Sequence, residues 1–432
     1  MSETFTLGQI TGLLDLGHTV HIYALARPQA DAPKHESVSR YNLLARTTYI
    51  DMPQESGYWE MPVWPLTGRT WLPISKDPIS NAARVLRALP SLARSFAHSP
   101  RLTFQVLNPS EYGYQARSLS ALYRLAALCS RRGRYDVLHA HFGPVANSFR
   151  FARKLWKAPL VVSFHGYDFS VWPRKQGRGV YKRLFRDADA ITVNSDFSRK
   201  RLEALGCPPA RLHNLPMGVN LDEFRFRERR LEPGEAVRLL TVGRLVEKKG
   251  IEFSLRAVAE VRAKLPDVPL CYDIVGDGPL RANLQALIRA YGLQDRVTLH
   301  GARSHAYVQQ MMEEAHIFVL ASVTTSDGDQ EGQGLVLQEA QASGLPVLAT
   351  DHNGFRESLV PGQSGLLVPE RDLSGLAASL EHLITYPERW PQMGMRGRRH
   401  VEEKYDACRL NRELAHLYAQ VAKRYRSRRK GN

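Results

Sequence analysis

The amino-acid sequence predicts an α/β protein of two domains, each built on a parallel sheet. Its 432 residues are more than one hydrophobic core accommodates. Short apolar runs alternate with helical patterns along the chain: HTVHIYAL, DVLHAH, PLVVSFH, AITVNS, VRLLTVG, HIFVL and LPVLAT. Such runs, followed by helices, form parallel strands covered on both faces. VRLLTVG and CYDIVG end in glycine, and the carboxyl end of a parallel strand is where ligands approach the backbone in open α/β sheets.

In chain order, residues 6–16 carry a helix pattern in Leu7, Ile10, Leu13 and Leu14, and HTVHIYAL is the next strand. FRFRERRLEPGEAV, residues 224–237, is polar, contains Pro233-Gly234 and marks a domain boundary. The sequence has no internal repeat of fixed period and no low-complexity tract. Cys129, Cys207, Cys271 and Cys408 are scattered without C-x2-C spacing, so neither zinc nor a disulfide framework is indicated. No basic-then-apolar leader and no run of about twenty apolar residues stands out. The expected location is cytoplasmic, soluble or peripheral on the inner face of the plasma membrane.

Three motifs carry chemistry. In LLTVGRLVEKKG a strand breaks at Gly243, and Arg244 and Lys249 follow in a loop leading to a helix near Gly250. The fork of Arg and the point charge of Lys suit a diphosphate. CYDIVGDGPL is a second strand, ended by Gly276-Asp277-Gly278-Pro279, with Gly278 open to a ligand and Asp277 expected to cap the next helix. After the strand HIFVL, the segment EGQGLVLQEA sets Glu331 and Glu339 eight positions apart around Leu335, Val336, Leu337 and Ala340. At about 1.5 Å rise per residue, helical geometry keeps them within roughly 12 Å along the axis. Gly332 and Gly334, with Gln333 and Leu335, leave backbone amides uncovered at the positive end of that helix. A nucleotide sugar suits this arrangement, with pyrophosphate at the helix end and one carboxylate for hydroxyls on each side. A capped helix with one Glu in its first turn and one on its solvent face fits the same residues.

Two histidine motifs lie upstream. His139 and His141 alternate at a strand end and are expected on opposite faces, one in the core and one open to a cleft. His165 ends PLVVSFH, and Gly166 opens the loop that carries Asp168. Asp327-x-Asp329 has metal-binding D-x-D spacing but reads as a solvated loop, and no metal is expected.

Charge is unevenly spread. Residues 1–221 hold 29 Lys+Arg against 15 Asp+Glu, a net of +14, while residues 222–432 have a net of +2. The excess lies in residues 82–96, 130–135 and 173–186, and the tail KRYRSRRKGN adds more. In residues 82–96, Val85, Leu86, Leu89 and Leu92 recur at helical spacing among Arg84, Arg87 and Arg94. That pattern suits an anionic membrane surface; a core helix with a solvated basic face is the alternative. No DNA- or RNA-reading motif accompanies the charge, so nucleic acid is not an expected partner.

GRLVEKKG, VGDGPL and EGQGLVLQEA followed by ASGLPVLAT resemble, in order and spacing, the donor domain of retaining GT-B glycosyltransferases of family four. HAHFGP, VVSFHGYDFS, ITVNSDFSRKRL, LPMGVNLDEF, NPSEYGYQARSLSALYR and SETFTLGQI extend the resemblance to colanic-acid-type enzymes over nearly the whole chain. The resemblance implies two Rossmann-like domains facing across a cleft: residues 1–221 for the acceptor, 222–395 for the nucleotide-sugar donor, and 396–432 as a helix crossing back with a basic tail. It places the family's E-x7-E pattern on Glu331 and Glu339, and it selects His141 as the histidine near the donor sugar. Two departures stand out. The helix pattern begins at once where the family has a strand and a tight loop first, so the reading frame is expected to start upstream. Asn220 replaces the usual Asp of G-V-D, which affects packing rather than chemistry.

The expected activity is transfer of a sugar, with retention, from a UDP- or GDP-sugar to a lipid-linked or glycan acceptor in exopolysaccharide synthesis. No cofactor or metal is expected. Arg244, Lys249, Gly243, Gly278 and the amides of residues 332–335 take the diphosphate, and Glu339 takes the ribose. Glu331 and His141 serve the transferred sugar, with His165 and Asp168 on the acceptor or cleft side. A nucleotide-sugar epimerase on the same fold and an inactive binding subunit are the alternatives.

Overall fold

The computed structural model describes residues 4–25, 27, 35–50, 81–129 and 133–430. Residues 2–3, 130–132 and 431–432 and the side chain of Arg84, all named above, lie outside the described residues. The described chain forms two compact units. One comprises Met1–Gly12, Asn194–Lys200 and Asn214–Glu413, and the other Leu13–Val193, Arg201–His213 and Leu414–Asn432.

The strands, in chain order, are β1 (Ile22–Ala24), β2 (Thr47–Tyr49), β3 (Leu138–His141), β4 (Leu160–Ser163), β5 (Ala190–Val193), β6 (Leu212–Asn214), β7 (Val237–Val242), β8 (Leu270–Val275), β9 (Val297–Gly301), β10 (Ile317–Leu320), β11 (Val347–Thr350) and β12 (Gly365–Val368). β1 and β2 make a small parallel sheet, and β3 to β6 make a four-stranded sheet in chain order. The third sheet has the order β12-β11-β10-β7-β8-β9, with parallel neighbours throughout. This is the doubly wound order, and its direction reverses between β7 and β10. Strand ends on either side of such a switch point diverge and leave a crevice at their carboxyl ends.

Burial follows from the sequence. Every residue of β4, β5, β10 and β11 is buried, as expected of Val- and Ile-rich strands covered on both faces. Along β7 and β10, alternate residues serve opposite cores. Leu239, Ile317 and Val319 pack with Leu255 and Val258 of the Ile251–Lys264 helix, while Leu240, Phe318 and Leu320 pack with Leu337, Ala340 and Phe355. Each such side chain contributes about 1.5–3 kcal/mol by leaving water. A polar residue at Phe318 would break the second core beneath the helix Leu335–Ala342. The polar stretch after Phe224 is stitched to this unit by Arg229. Its guanidinium is buried and donates to the carbonyls of Glu313 (2.5 Å), Met312 (2.8 Å) and Ser343 (2.6 Å).

In the other unit, Val161 and Ala190 pack against Leu417 and Val421 of the Ala407–Lys430 helix. The helix expected near residues 82–96 is present as Asn81–His98. Its buried contacts are Ala88 and Ser95, whereas Leu86 (65%), Val85 (55%), Leu89 (47%) and Phe96 (45%) are exposed. The core reading of its apolar stripe therefore fails at these residues. Phe104 of the Pro100–Leu107 helix, 67% exposed, lies beside Phe96 and extends the apolar surface.

Candidate active site

The loops that follow β7, β8, β10 and β11 build one site at the switch point. After β7, the Gly243 N–H donates to Val275 O (2.9 Å), and Leu245 exchanges backbone bonds with Asp277 and Leu280, so this loop is zipped to the one after β8. The approach requires glycine at 276, where φ is +147° and a Cβ would sit 1.8 Å from Gly243 O. Gly278 lies against Leu245 O, and its N–H is capped by Asp277 Oδ1 (2.7 Å). Arg244 is half-buried behind this turn, and burial lowers its affinity for a proton while Glu331 and Asp329 raise it. Lys249 ends a short 3-10 turn before the helix Ile251–Lys264.

Glu331 sits in the loop after β10, four residues before the helix Leu335–Ala342, rather than in the helix's first turn. Its carboxylate lies 3.4 Å from Lys249 Nζ and 3.6 Å from Lys248 Nζ, with 16% of the side chain exposed. Burial pushes its pKa up, but Lys249, Lys248, His352 and Arg244 outweigh this and hold it at about 2. Gly334 has φ +74°, and its missing Cβ makes room for the Phe355 ring. The N–H groups of Gly332, Gln333 and Gly334 donate to no group among the described residues, and the three buried residues lead into the positive end of the helix. Gln333 departs from expectation at its side chain, which accepts from the Met217 N–H (2.7 Å) and donates to Met217 O (2.8 Å). Only its backbone is left for a ligand.

Glu339 is the fifth residue of the helix and is half-buried. Burial raises its pKa to about 7; Glu223 adds to the rise, and His305 and Lys249 oppose it. Behind it, Asn220 Nδ2 donates to Glu223 Oε1 (2.9 Å), and Glu223 Oε2 lies 2.9 Å from His305 Nε2. Asp329 is not the solvated loop residue expected. Its carboxylate pairs with Lys248 at 3.2 Å, while Asp327 caps the turn by accepting from Thr325 Oγ1 and Asp329 N. Among the described residues no group of three or more His, Cys, Asp and Glu side chains could hold a metal ion.

The histidines belong to the other unit. His139 and His141 lie on one face of β3, with ring centroids 4.4 Å apart, because strand residues two apart point the same way; the expectation of opposite faces is corrected. His139 bonds Tyr418 OH (2.5 Å) and Ser163 Oγ (2.7 Å), and His141 Nδ1 lies 3.2 Å from His165 Nε2 with the two rings stacked. Burial lowers the pKa of all three, that of His141 to about 4, so they are neutral imidazoles at pH 7. Asp168 is fully buried and accepts from the N–H groups of Gly143 (3.1 Å), His165 (3.0 Å) and Gly166 (2.9 Å). It pins the loops after β3 and β4 together and presents no surface of its own.

A doubly wound sheet whose switch point gathers cations, free amides and an ionised carboxylate defines a domain for anionic, nucleotide-type ligands. Residues 222–400 match the family described as glycosyl transferases group 1, and residues 2–218 match the glycosyl transferase 4-like domain. The chain belongs to this glycosyltransferase family. It is similar to WcaL of Salmonella typhimurium, a putative colanic acid biosynthesis glycosyltransferase, at 33% identity over 430 residues covering 96% of each chain. Sucrose-phosphate synthase from Thermosynechococcus elongatus superposes with a TM-score of 0.66 at 21% identity, over 98% of this chain and 93% of that one. Anabaena HepE, solved in complex with UDP, gives a TM-score of 0.57 at 19% identity, over 66% and 79%. The fold is accordingly GT-B, with two Rossmann-like α/β domains.

Sequence reasoning missed Lys248, His305, Glu223 and, most of all, His352. The last follows β11, next to β10, and its place just past a strand at the same sheet edge was the available signal.

Proposed function

We propose that the protein is a retaining glycosyltransferase that moves a sugar from a UDP- or GDP-sugar to a lipid-linked or polysaccharide acceptor in exopolysaccharide or other cell-surface glycan synthesis. The observation that carries this reading is the ionised Glu331 carboxylate, held by Lys249 and Lys248 beside the amides of Gly332 to Gly334, which donate to no group among the described residues. Arg244, Lys249 and those amides take the charge of the leaving diphosphate. Glu331 accepts from donor-sugar hydroxyls near the reacting carbon, and Glu339 accepts from the ribose. His141, a neutral imidazole, orients the sugar by hydrogen bonding rather than by giving up a proton. The bond from the anomeric carbon to the diphosphate breaks, the acceptor oxygen bonds on the same face, and the departing phosphate oxygen takes the acceptor's proton. No protein nucleophile and no metal is called for. The UDP in the HepE crystals and the biosynthetic role in WcaL's name support a nucleotide-sugar donor and a polysaccharide product.

The acceptor side rests on charge. A net of +14 over residues 1–221, together with exposed Leu86, Leu89, Phe96 and Phe104, supports approach to an anionic membrane that carries a lipid-linked acceptor. The test is to incubate the purified protein with labelled UDP-, GDP- and ADP-sugars and lipid-diphosphate acceptors. NMR then reads the anomeric configuration of the product. Transfer with the donor's configuration is expected. An inverted product overturns the mechanism, and donor binding without any turnover identifies an inert binding subunit instead.

A further inference from the structure

The loop that carries Glu331 is held by a buried relay that the transfer chemistry above leaves unused. The Glu331 N–H donates to His352 Nε2 (3.0 Å), and the Glu331 carbonyl accepts from Asn353 Nδ2 (2.9 Å), so both backbone groups of Glu331 are held by two consecutive residues. Asn353 Nδ2 also lies 2.9 Å from His352 Nε2. With N–H donors directed at it, Nε2 must be unprotonated, so the ring proton sits on Nδ1 and is donated to Glu370 Oε1 at 2.6 Å. Glu370 is fixed in turn, its Oε2 accepting from the Thr324 N–H (2.7 Å) and its Oε1 from the Thr324 hydroxyl (3.2 Å). The relay therefore ties together the loops after β10, β11 and β12, and His352 at its centre is wholly buried, with the Phe355 ring at 5.3 Å.

We propose that His352 is a positioning residue for sugar transfer: with Nε2 kept as an acceptor by Glu370, it fixes the Glu331 amide and so aims the Glu331 carboxylate. The proposal rests on the reading of Glu331 as the sugar-binding carboxylate. The charged groups that face the imidazole are Glu370, Glu331 and Lys248. Burial keeps the ring neutral by lowering its pKa, against the pull of Glu370 and Glu331, so the acceptor form persists through neutral pH. The arrangement parallels the carboxylate–imidazole pairs that orient reactive groups elsewhere, with a backbone amide in the place of the reacting atom. The two bonds engage the two peptide units that flank the Glu331 Cα, and so fix the point from which its side chain springs.

The test uses the full chain with His352→Gln and His352→Leu. A glutamine amide offers one acceptor and one donor, as the imidazole does, whereas leucine fills the space without either. The leucine variant is expected to lose about a hundredfold in kcat, as a displaced catalytic group does, with affinity for UDP or GDP unchanged because Arg244 and Lys249 stay in place. The glutamine variant is expected to keep most of the wild-type kcat. Equal damage in both variants, an unchanged kcat in the leucine variant, or an equal loss of UDP affinity would each overturn the proposal. Hydrogen–deuterium exchange over residues 325–336 is read in parallel and needs no turnover. Faster exchange with leucine but not with glutamine upholds the hold on Glu331 even if the wild-type protein transfers no sugar, so the two readings fail separately. Should the leucine variant not fold, Asn353→Ala keeps the imidazole and removes the bond to the Glu331 carbonyl. It is expected to lower kcat with the same split, and an unchanged kcat there counts against the proposal.

Discussion

Replacing Glu331 by glutamine keeps the shape of the site and removes one charge. In the folded protein the carboxylate titrates at about 2 instead of 4.5. At 1.36 kcal/mol per pH unit, that preference for the ionised form is worth roughly 3 kcal/mol. Only 16% of the side chain meets solvent, so screening removes little of it. The folded value lies below the unfolded one, so this stabilisation is present above about pH 4.5 and is lost as pH falls toward 2. The glutamine variant should therefore melt earlier than wild type at pH 7, and the gap should close in acid. Catalysis should fall further. A charge-assisted hydrogen bond that strengthens in the transition state is lost, at a cost of about a hundredfold or more in kcat. Affinity for UDP or GDP should hold or rise, because Lys249 loses the carboxylate 3.4 Å away that competes with diphosphate. The assays are labelled-sugar transfer for kcat and titration calorimetry for the diphosphate. More than about a tenth of wild-type turnover in the variant would refute the role given to Glu331.

Arg244→Ala and Lys249→Ala should each weaken diphosphate binding, and the double variant should lose less than the sum because both cations share one ligand; calorimetry decides, and unchanged affinity in both single variants sinks the assignment. Transfer should also survive EDTA, because the proposal gives the cationic work to these side chains. Glu339, whose pKa burial raises to about 7, works in the opposite sense to Glu331. Its unfolded form ionises first, so stability is lost as pH rises from about 4.5 to 7, and Glu339→Gln should melt progressively later than wild type over that window. Donor affinity should rise through pH 7 in wild type but not in this variant. Binding to anionic vesicles should fall steeply between 0.1 M and 1 M salt as the screening length shortens from about 10 Å to about 3 Å. Equal binding to neutral vesicles would leave the basic N-terminal half without that function.

The fold was legible because its strands are short, apolar and bounded by glycine. Val237–Val242, Leu270–Val275 and Ile317–Leu320 appear where the sequence puts them, and the cations and carboxylates follow their carboxyl ends. What the sequence does not state is which side chain turns inward. Gln333 sits among amides expected to meet a ligand, yet its side chain spends both hydrogen-bonding groups on Met217. Of the two lysines in EKKG, spacing singled out only Lys249, but both long side chains reach Glu331, Lys248 at 3.6 Å and Lys249 at 3.4 Å. Asp329 looked like a loop residue because its partner, Lys248, is 81 positions away. The relay of Thr324, Glu370 and His352 joins three strand ends that are adjacent in the sheet but up to 46 residues apart in sequence, a distance that no local pattern spans.

The two carboxylates of the site show why spacing alone could not assign their roles. Glu331 and Glu339 are the same residue type eight positions apart on one segment, and burial raises the pKa of both. The difference lies in their neighbours. Glu331 has Lys249, Lys248 and Arg244 around it and stays ionised, whereas around Glu339 the Glu223 carboxylate adds to the effect of burial, and His305, itself bonded to Glu223, and Lys249 do not offset it. Environments that drive like groups apart separate their tasks. A permanently charged carboxylate beside the diphosphate cations can stabilise positive charge developing on a sugar ring. One balanced near neutrality can accept hydrogen bonds from ribose hydroxyls without adding a second full negative charge next to the diphosphate. Exchanging the neighbours, by Glu223→Gln, should lower the pKa of Glu339 and flatten the pH dependence of donor affinity while leaving kcat at saturating donor unchanged. A variant that instead lost kcat with the same pH profile would place Glu339 with the reacting sugar and not with the nucleotide.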